Sequence, residues 1–159
     1  MKNNINPIAL QAKDLPLRAK RTAYPEPFAS MVAGRERRPL GDIFGITNFG
    51  VNLTHLPPGS RSALLHKHKL QEEFIYILEG QPTLVTETEE IQLHEGMCAG
   101  FIPSGSAHHL LNRTLSDVLY LEIGDRTKDD EVIYPADDLI GTLGPDGQWH
   151  FSHKNGEFY

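Results

Sequence analysis

The stretch Gly59-Ser60-Arg61-Ser62-Ala63-Leu64-Leu65-His66-Lys67-His68-Lys69-Leu70-Gln71-Glu72-Glu73-Phe74-Ile75-Tyr76-Ile77-Leu78-Glu79-Gly80 decides how this chain is read. His66 and His68 are two residues apart, and on a strand such residues share a face, so both rings can point at one ion. Glu73 follows a short break and opens an apolar, β-branched and aromatic run that reads as a strand. Further on, the turn Pro103-Ser104-Gly105 precedes His108, which heads another strand-like run, His109-Leu110-Leu111. Three imidazoles and a carboxylate are what a divalent transition metal needs from a protein. All four lie near strand starts, so they can converge at one end of a barrel.

Working outward, the 159-residue chain is long enough for one real core and not for two. Turn signals at Pro57-Pro58-Gly59-Ser60, Glu79-Gly80, Glu95-Gly96, Pro103-Ser104-Gly105 and 114–117 separate short runs. These predict strands near 43–48, 50–56, 62–66, 73–79, 82–88, 90–94, 97–102, 107–113 and 117–123. Many short strands with such turns mean an all-β sandwich or barrel rather than a parallel α/β sheet. Residues 1–42 carry Pro7, Pro16, Pro25, Pro27 and Pro39 and are expected to wrap the barrel as an arm. Residues 43–124 are expected to form the barrel. Residues 125–159 are polar and turn-rich, and predict an extension over the outer surface that ends in a hairpin through 149–151 and 158–159.

The two motifs together resemble those of the cupin superfamily. The first reads Gly59, six residues, His66-x-His68, four residues, Glu73, six residues, Gly80. The second reads Gly96, six residues, Pro103-x-Gly105, two residues, His108, three residues, Asn112. Gly59 and Gly96 each stand one residue further out than in the usual form, which touches turns and not ligands. The runs Tyr24-Pro25-Glu26-Pro27-Phe28, Asp130-Glu131-Val132-Ile133-Tyr134-Pro135 and Phe151-Ser152-His153-Lys154-Asn155-Gly156 are similar to a subgroup of small single-domain bacterial cupins, some of them described as sugar-phosphate-isomerase-like. The resemblance implies a double-stranded β-helix, or jelly-roll barrel, and one divalent transition metal ion per chain (Fe, Mn, Ni or Zn) on His66, His68, Glu73 and His108. The gap to Gly80 favours Glu73 over Glu72, and the gap to Asn112 favours His108 over His109. Fold alone does not transfer a reaction.

Strand parity maps the expected pocket. With His66, Glu73 and His108 inward, Ser62, Leu64, Ile75, Ile77 and Leu110 face in, while Lys67, Phe74, Tyr76 and His109 face out. The lining is then mostly apolar apart from the ligands. Among further candidates for chemistry, Tyr120 and Glu122 share one face of their strand. Arg61, near the expected barrel mouth, is a candidate anion binder or a plain solvated arginine. Asn112 reads as a structural hydrogen-bonder, and His55, His94, His150 and His153 as surface residues. No phosphate cradle, such as a Gly-rich loop or paired arginines, is evident.

A three-His, one-Glu site leaves coordination positions open for water, substrate or dioxygen. The reading is a metal-dependent enzyme on a small molecule, sugar-phosphate-isomerase-like, with the metal as Lewis acid. Alternatives are a non-haem Fe(II) dioxygenase and a non-catalytic small-molecule binding or sensor protein. Charge is uneven: residues 1–38 hold eight Lys/Arg and three Asp/Glu, and the remainder is acidic. The short cluster Arg35-Glu36-Arg37-Arg38 lacks aromatic interleaving or any nucleic-acid motif, so no nucleic-acid partner is expected. Cys98 excludes a disulfide framework within the chain and reads as a small buried residue. With no signal region in Met1-Lys2-Asn3-Asn4-Ile5 and no long apolar run, a cytoplasmic protein without a membrane span is expected. A homodimer through the outward Phe74 and Tyr76 and the N-terminal arm is expected as well.

Overall fold

The computed structural model describes residues 7–159, and the stretch 1–5 read for a signal region lies outside them. In chain order come α1 (Phe28–Met31), β1 (Glu36–Pro39), α2 (Leu40–Ile43), β2 (Phe49–Leu56), β3 (Lys67–His68) and β4 (Glu73–Glu79). They are followed by β5 (Thr83–Thr86), β6 (Glu90–Gln92), β7 (Cys98–Phe101) and β8 (His108–Leu111). The last four strands are β9 (Val118–Asp125), β10 (Glu131–Ile133), β11 (Ile140–Leu143) and β12 (Trp149–Ser152). The chain is all-β, a double-stranded β-helix of antiparallel strands, with two single-turn α-helices and a short 3-10 turn at Ala12–Asp14 among the described residues. No helix among the described residues is long and apolar enough to cross a membrane.

One sheet runs β1-β2-β9-β4-β7. The facing layer is built from β6-β5-β8 and β12-β11-β10-β3. Bridges from Arg61 to Leu111 and from His66 to His108 join these two pieces along the segment leading into β3. Four residues separate Arg61 from His66, against two between Leu111 and His108. The bulge therefore adds two residues and preserves side-chain parity. This explains why 62–66 is a bulged connection and not the regular strand expected there.

Register places side chains in rows across the first sheet. Gly124, Glu73 and Phe101 form one inward row, and Asn52, Glu122, Ile75 and Ala99 the next. The row below carries Thr54, Tyr120 and Ile77, and below that come Leu56 and Val118. The rows grade from polar to apolar along the barrel. Leu56, Ile75, Ile77, Leu84, Leu93, Leu110, Val118 and Tyr120 form a core that plugs one end. The turn after β4 needs Gly80: its φ is +86°, and a Cβ there would lie 2.5 Å from the Asp117 carbonyl.

Three local expectations are corrected. A strand was expected near 43–48, but α2 precedes β2, because Pro39 pairs with Asn52 and the chain must reverse within a few residues. Cys98 is exposed: it pairs with Tyr76, whose side chain points outward, so parity turns the thiol out as well. Residues 125–159 do not lie over the outer surface. β10 pairs with β3, and Val132, Tyr134, Trp149 and Phe151 line the central cavity. The terminal hairpin does form, through the Ser152–Phe158 bridge and the Tyr159 N–H bonded to the Phe151 carbonyl.

Candidate metal centre

His66, His68, Glu73 and His108 meet at the open end of the barrel. Glu73 Oε2 lies 3.4 Å from His66 Nε2, 3.6 Å from His68 Nε2 and 3.1 Å from His108 Nε2. Donor atoms of His66, His68 and Glu73 all fall within 4.8 Å of one another. β4 delivers Glu73 as its first inward residue, and Glu72 is exposed. His108 is buried while His109 turns to the other face, as parity requires. Phe101 stacks on the His108 ring at 3.3 Å between centroids and holds it in place.

The far ring nitrogens set the protonation pattern. His66 Nδ1 sits 2.9 Å from the Leu64 carbonyl, and His108 Nδ1 3.4 Å from that of Ser106. His68 Nδ1 sits 2.5 Å from Asp130 Oδ2. Each of these partners is an acceptor, so each Nδ1 is placed to donate and each Nε2 is turned inward. Three Nε2 atoms then face a carboxylate oxygen that is buried and has no well-formed hydrogen bond among the described residues. Such a convergence of imidazole nitrogens and a carboxylate suits a divalent transition metal. Burial pushes the Glu73 carboxyl up, but the imidazoles around it win and hold it well below the usual range. Burial depresses His108, whereas for His68 the Asp130 hydrogen bond and the neighbouring carboxylates outweigh burial and raise it.

Sequence reasoning missed Asp130. It is fully buried and accepts from Leu70 N at 2.7 Å and Gln71 N at 3.4 Å, as well as from His68. It therefore fixes both the ring of His68 and the chain that links β3 to β4. In the sequence it opens the run Asp130-Glu131-Val132-Ile133-Tyr134-Pro135 after a polar turn, and nothing in that run marks it as a partner of His68.

The cavity beside the cluster holds about 300 Å³. Its lining is more polar than expected. Arg37, Asn52, Tyr120 and Glu122 project from the first sheet and Arg35 from just before β1, and Tyr24 and Tyr134 complete the lining. Tyr120 and Glu122 thus face inward. Both Glu122 oxygens approach Arg37, at 2.9 and 3.0 Å, with the Tyr120 hydroxyl donating at 3.4 Å. Burial raises the Tyr120 hydroxyl out of its ordinary range, so it stays a proton donor. Paired arginines are therefore present. Their signal was the i, i+2 spacing of Arg35, just before β1, and Arg37 within it. Asn112 is fully buried and ties the Leu56 and Ser116 carbonyls, as a structural residue would.

Arg61 is not at the cavity. Its bridge to Leu111 puts it on the face opposite His108, beside His109. Burial first, and Arg61 second, lowers His109 to about 4, and its buried Nδ1 has no partner among the described residues. An unfolded histidine titrates at about 6.5, so the unfolded chain takes up this proton first on acidification. The stability from neutral His109 is complete above about pH 6.5 and is lost as pH falls towards about 4. Thermal melts across that window are expected to fall less steeply for His109→Gln than for the wild type. Parallel curves would assign the acid loss to other groups.

Comparison with known proteins agrees with this architecture. A family model described as "Cupin domain" matches residues 52–124. A sugar phosphate isomerase from Silicibacter pomeroyi, described as from a cupin superfamily, is 32% identical, with TM-score 0.88 over 95% of this chain and 96% of that one. A putative sugar phosphate isomerase from Acidithiobacillus ferrooxidans is 30% identical, with TM-score 0.71 over 76% and 77% of the two chains. A predicted oxalate decarboxylase from Thermotoga maritima shares the fold alone, at 20% identity and TM-score 0.59 over 76% of this chain and all of that one. Among curated protein sequences none matches. The chain belongs to the cupin superfamily.

Proposed function

We propose that this cupin is a metal-dependent enzyme acting on a small molecule by isomerase-like chemistry. The observation that carries the reading is the convergence of three imidazole Nε2 atoms on the buried oxygen of Glu73, beside a cavity that also holds Glu122. A divalent ion such as Fe, Mn, Ni or Zn on His66, His68, Glu73 and His108 supplies Lewis acidity toward a carbonyl oxygen. Glu122 is the group available to move a proton between the two neighbouring carbons of an aldose–ketose pair. Its carboxylate is aimed by Arg37 and Asn52, and the Tyr120 hydroxyl lies in reach. The likeness to solved proteins described as sugar phosphate isomerases, at 32% and 30% identity, supports the same reading.

The test is elemental analysis by mass spectrometry of untagged protein purified without chelator, followed by assays on aldose and ketose phosphates. About one equivalent of metal per chain is expected, with turnover lost on chelation and regained on reloading. A metal-free protein that resists reconstitution overturns the reading, and iron with oxygen uptake directs it to dioxygenase chemistry.

Asp130 gives a second check. Asparagine at 130 keeps an oxygen for the Leu70 and Gln71 N–H groups but turns an N–H toward His68 Nδ1. That favours the wrong tautomer at Nε2. Metal affinity is expected to fall about 10- to 100-fold in a chelator competition. Unchanged affinity would show that Asp130 serves the β3–β4 connection alone.

A further inference from the structure

Four guanidinium groups line the cavity, from Arg18, Arg35, Arg37 and Arg126. Arg37 is paired with Glu122 and Arg126 with Asp42. The carboxylates left in the lining are committed elsewhere. Glu73 faces the imidazoles, and Asp125 accepts the N–H groups of Glu72 and Thr127. Arg18 is exposed and solvated. Arg35 is 4% exposed and enters no ion pair among the described residues. Its Nη groups donate to the backbone carbonyls of Ser62 and Arg21, neither of which carries a charge. Its Nε is shut off from solvent with no acceptor among the described residues.

Burying a cation without a counter-charge is costly. The cost shows in the Arg35 guanidinium itself: burial, and then the nearby Arg37, bring it down to about 10. A chain that keeps such a group in the wall of a ligand cavity gains most when the ligand brings the missing charge. We propose that Arg35 is the anion-recognition residue of this cavity, and that the substrate carries a phosphate or carboxylate group held by its planar fork. The inference rests on the reading of this cavity as a substrate site. It divides the labour between near neighbours: Arg37 on β1 aims Glu122, and Arg35, just before β1, receives the anion. A purely structural Arg35 would only pin the arm at Arg21 to the bulge at Ser62.

The test titrates metal-loaded wild type, Arg35→Met and Arg35→Lys with inorganic phosphate, glycerate and glycerol by calorimetry, with metal content measured on each sample. Phosphate or glycerate affinity is expected to fall roughly 10- to 100-fold in Arg35→Met. Arg35→Lys, which keeps the charge and loses the fork, is expected to weaken it at least about threefold. Glycerol binding and metal content are expected to stay the same. The two anions tell a phosphate site from a carboxylate site. If Arg35→Met does not fold, Arg35→Lys decides by the rise in melting temperature that each anion produces. Full metal content with anion affinity equal to wild type in the variants, or no anion binding by wild type, overturns the inference. Absent metal overturns the enzyme reading instead.

Discussion

Alanine at both His66 and His68 is expected to strip the chain of metal while the barrel stays folded. The pair contributes two of the four converging donor atoms, and two remaining ligands do not hold a divalent ion against water and buffer. Metal content is expected to fall from about one equivalent to below about a tenth. The fold is expected to survive because the core packs around Leu56, Ile77 and Val118, away from the cluster. The far-ultraviolet dichroism of the variant should match that of the wild type. Chelation should lower the wild-type melting temperature and leave that of the variant unmoved, since only a folded site binds the ion. Metal retained in full by the double variant would place the site elsewhere.

Glutamine at 122 is expected to lower turnover by about 10²- to 10⁴-fold with metal content intact. The amide keeps the shape of the side chain and removes the proton acceptor. It also leaves Arg37 without its charge partner. The two side chains are 20% and 17% exposed, so a stability loss of about 3 kcal/mol is expected alongside. The catalytic and structural effects separate in the pH–rate profile: loss of a base removes its acid limb, while loss of packing lowers the rate at every pH. A residual rate within about tenfold of wild type would take Glu122 out of the chemistry.

The grouping of His66, His68, Glu73 and His108 as a candidate site was legible in the sequence because its signals are local. His66 and His68 share a face by alternation, and Glu73 and His108 open strands after turns. Parity also placed Ile75, Ile77 and Leu110 inward and Phe74 and Tyr76 outward, since each strand needs only its own two-residue period. The cavity walls were not legible in the same way. Arg35 and Arg37 carry the right spacing, but inward and outward faces differ only once β1 pairs with β2, which aligns Arg37 with Thr54. Arg61 was misplaced for the converse reason: its partner Leu111 decides its face. Cys98 followed Tyr76 outward through a ladder between strands far apart in the chain.

By itself, the order of residues determined an all-β barrel and the short-range geometry of its imidazoles and carboxylate, because turn chemistry and strand alternation act over a few residues. The tertiary structure alone decided what surrounds them. It brought Asp130 under His68, 62 residues away in the chain, and turned Arg35 and Glu122 into one cavity. It also made β10 to β12 part of the layer that carries β3, and so part of the cavity wall. Those outcomes depend on which strands pair and in which register, and pairing is settled by the burial of distant apolar faces against one another.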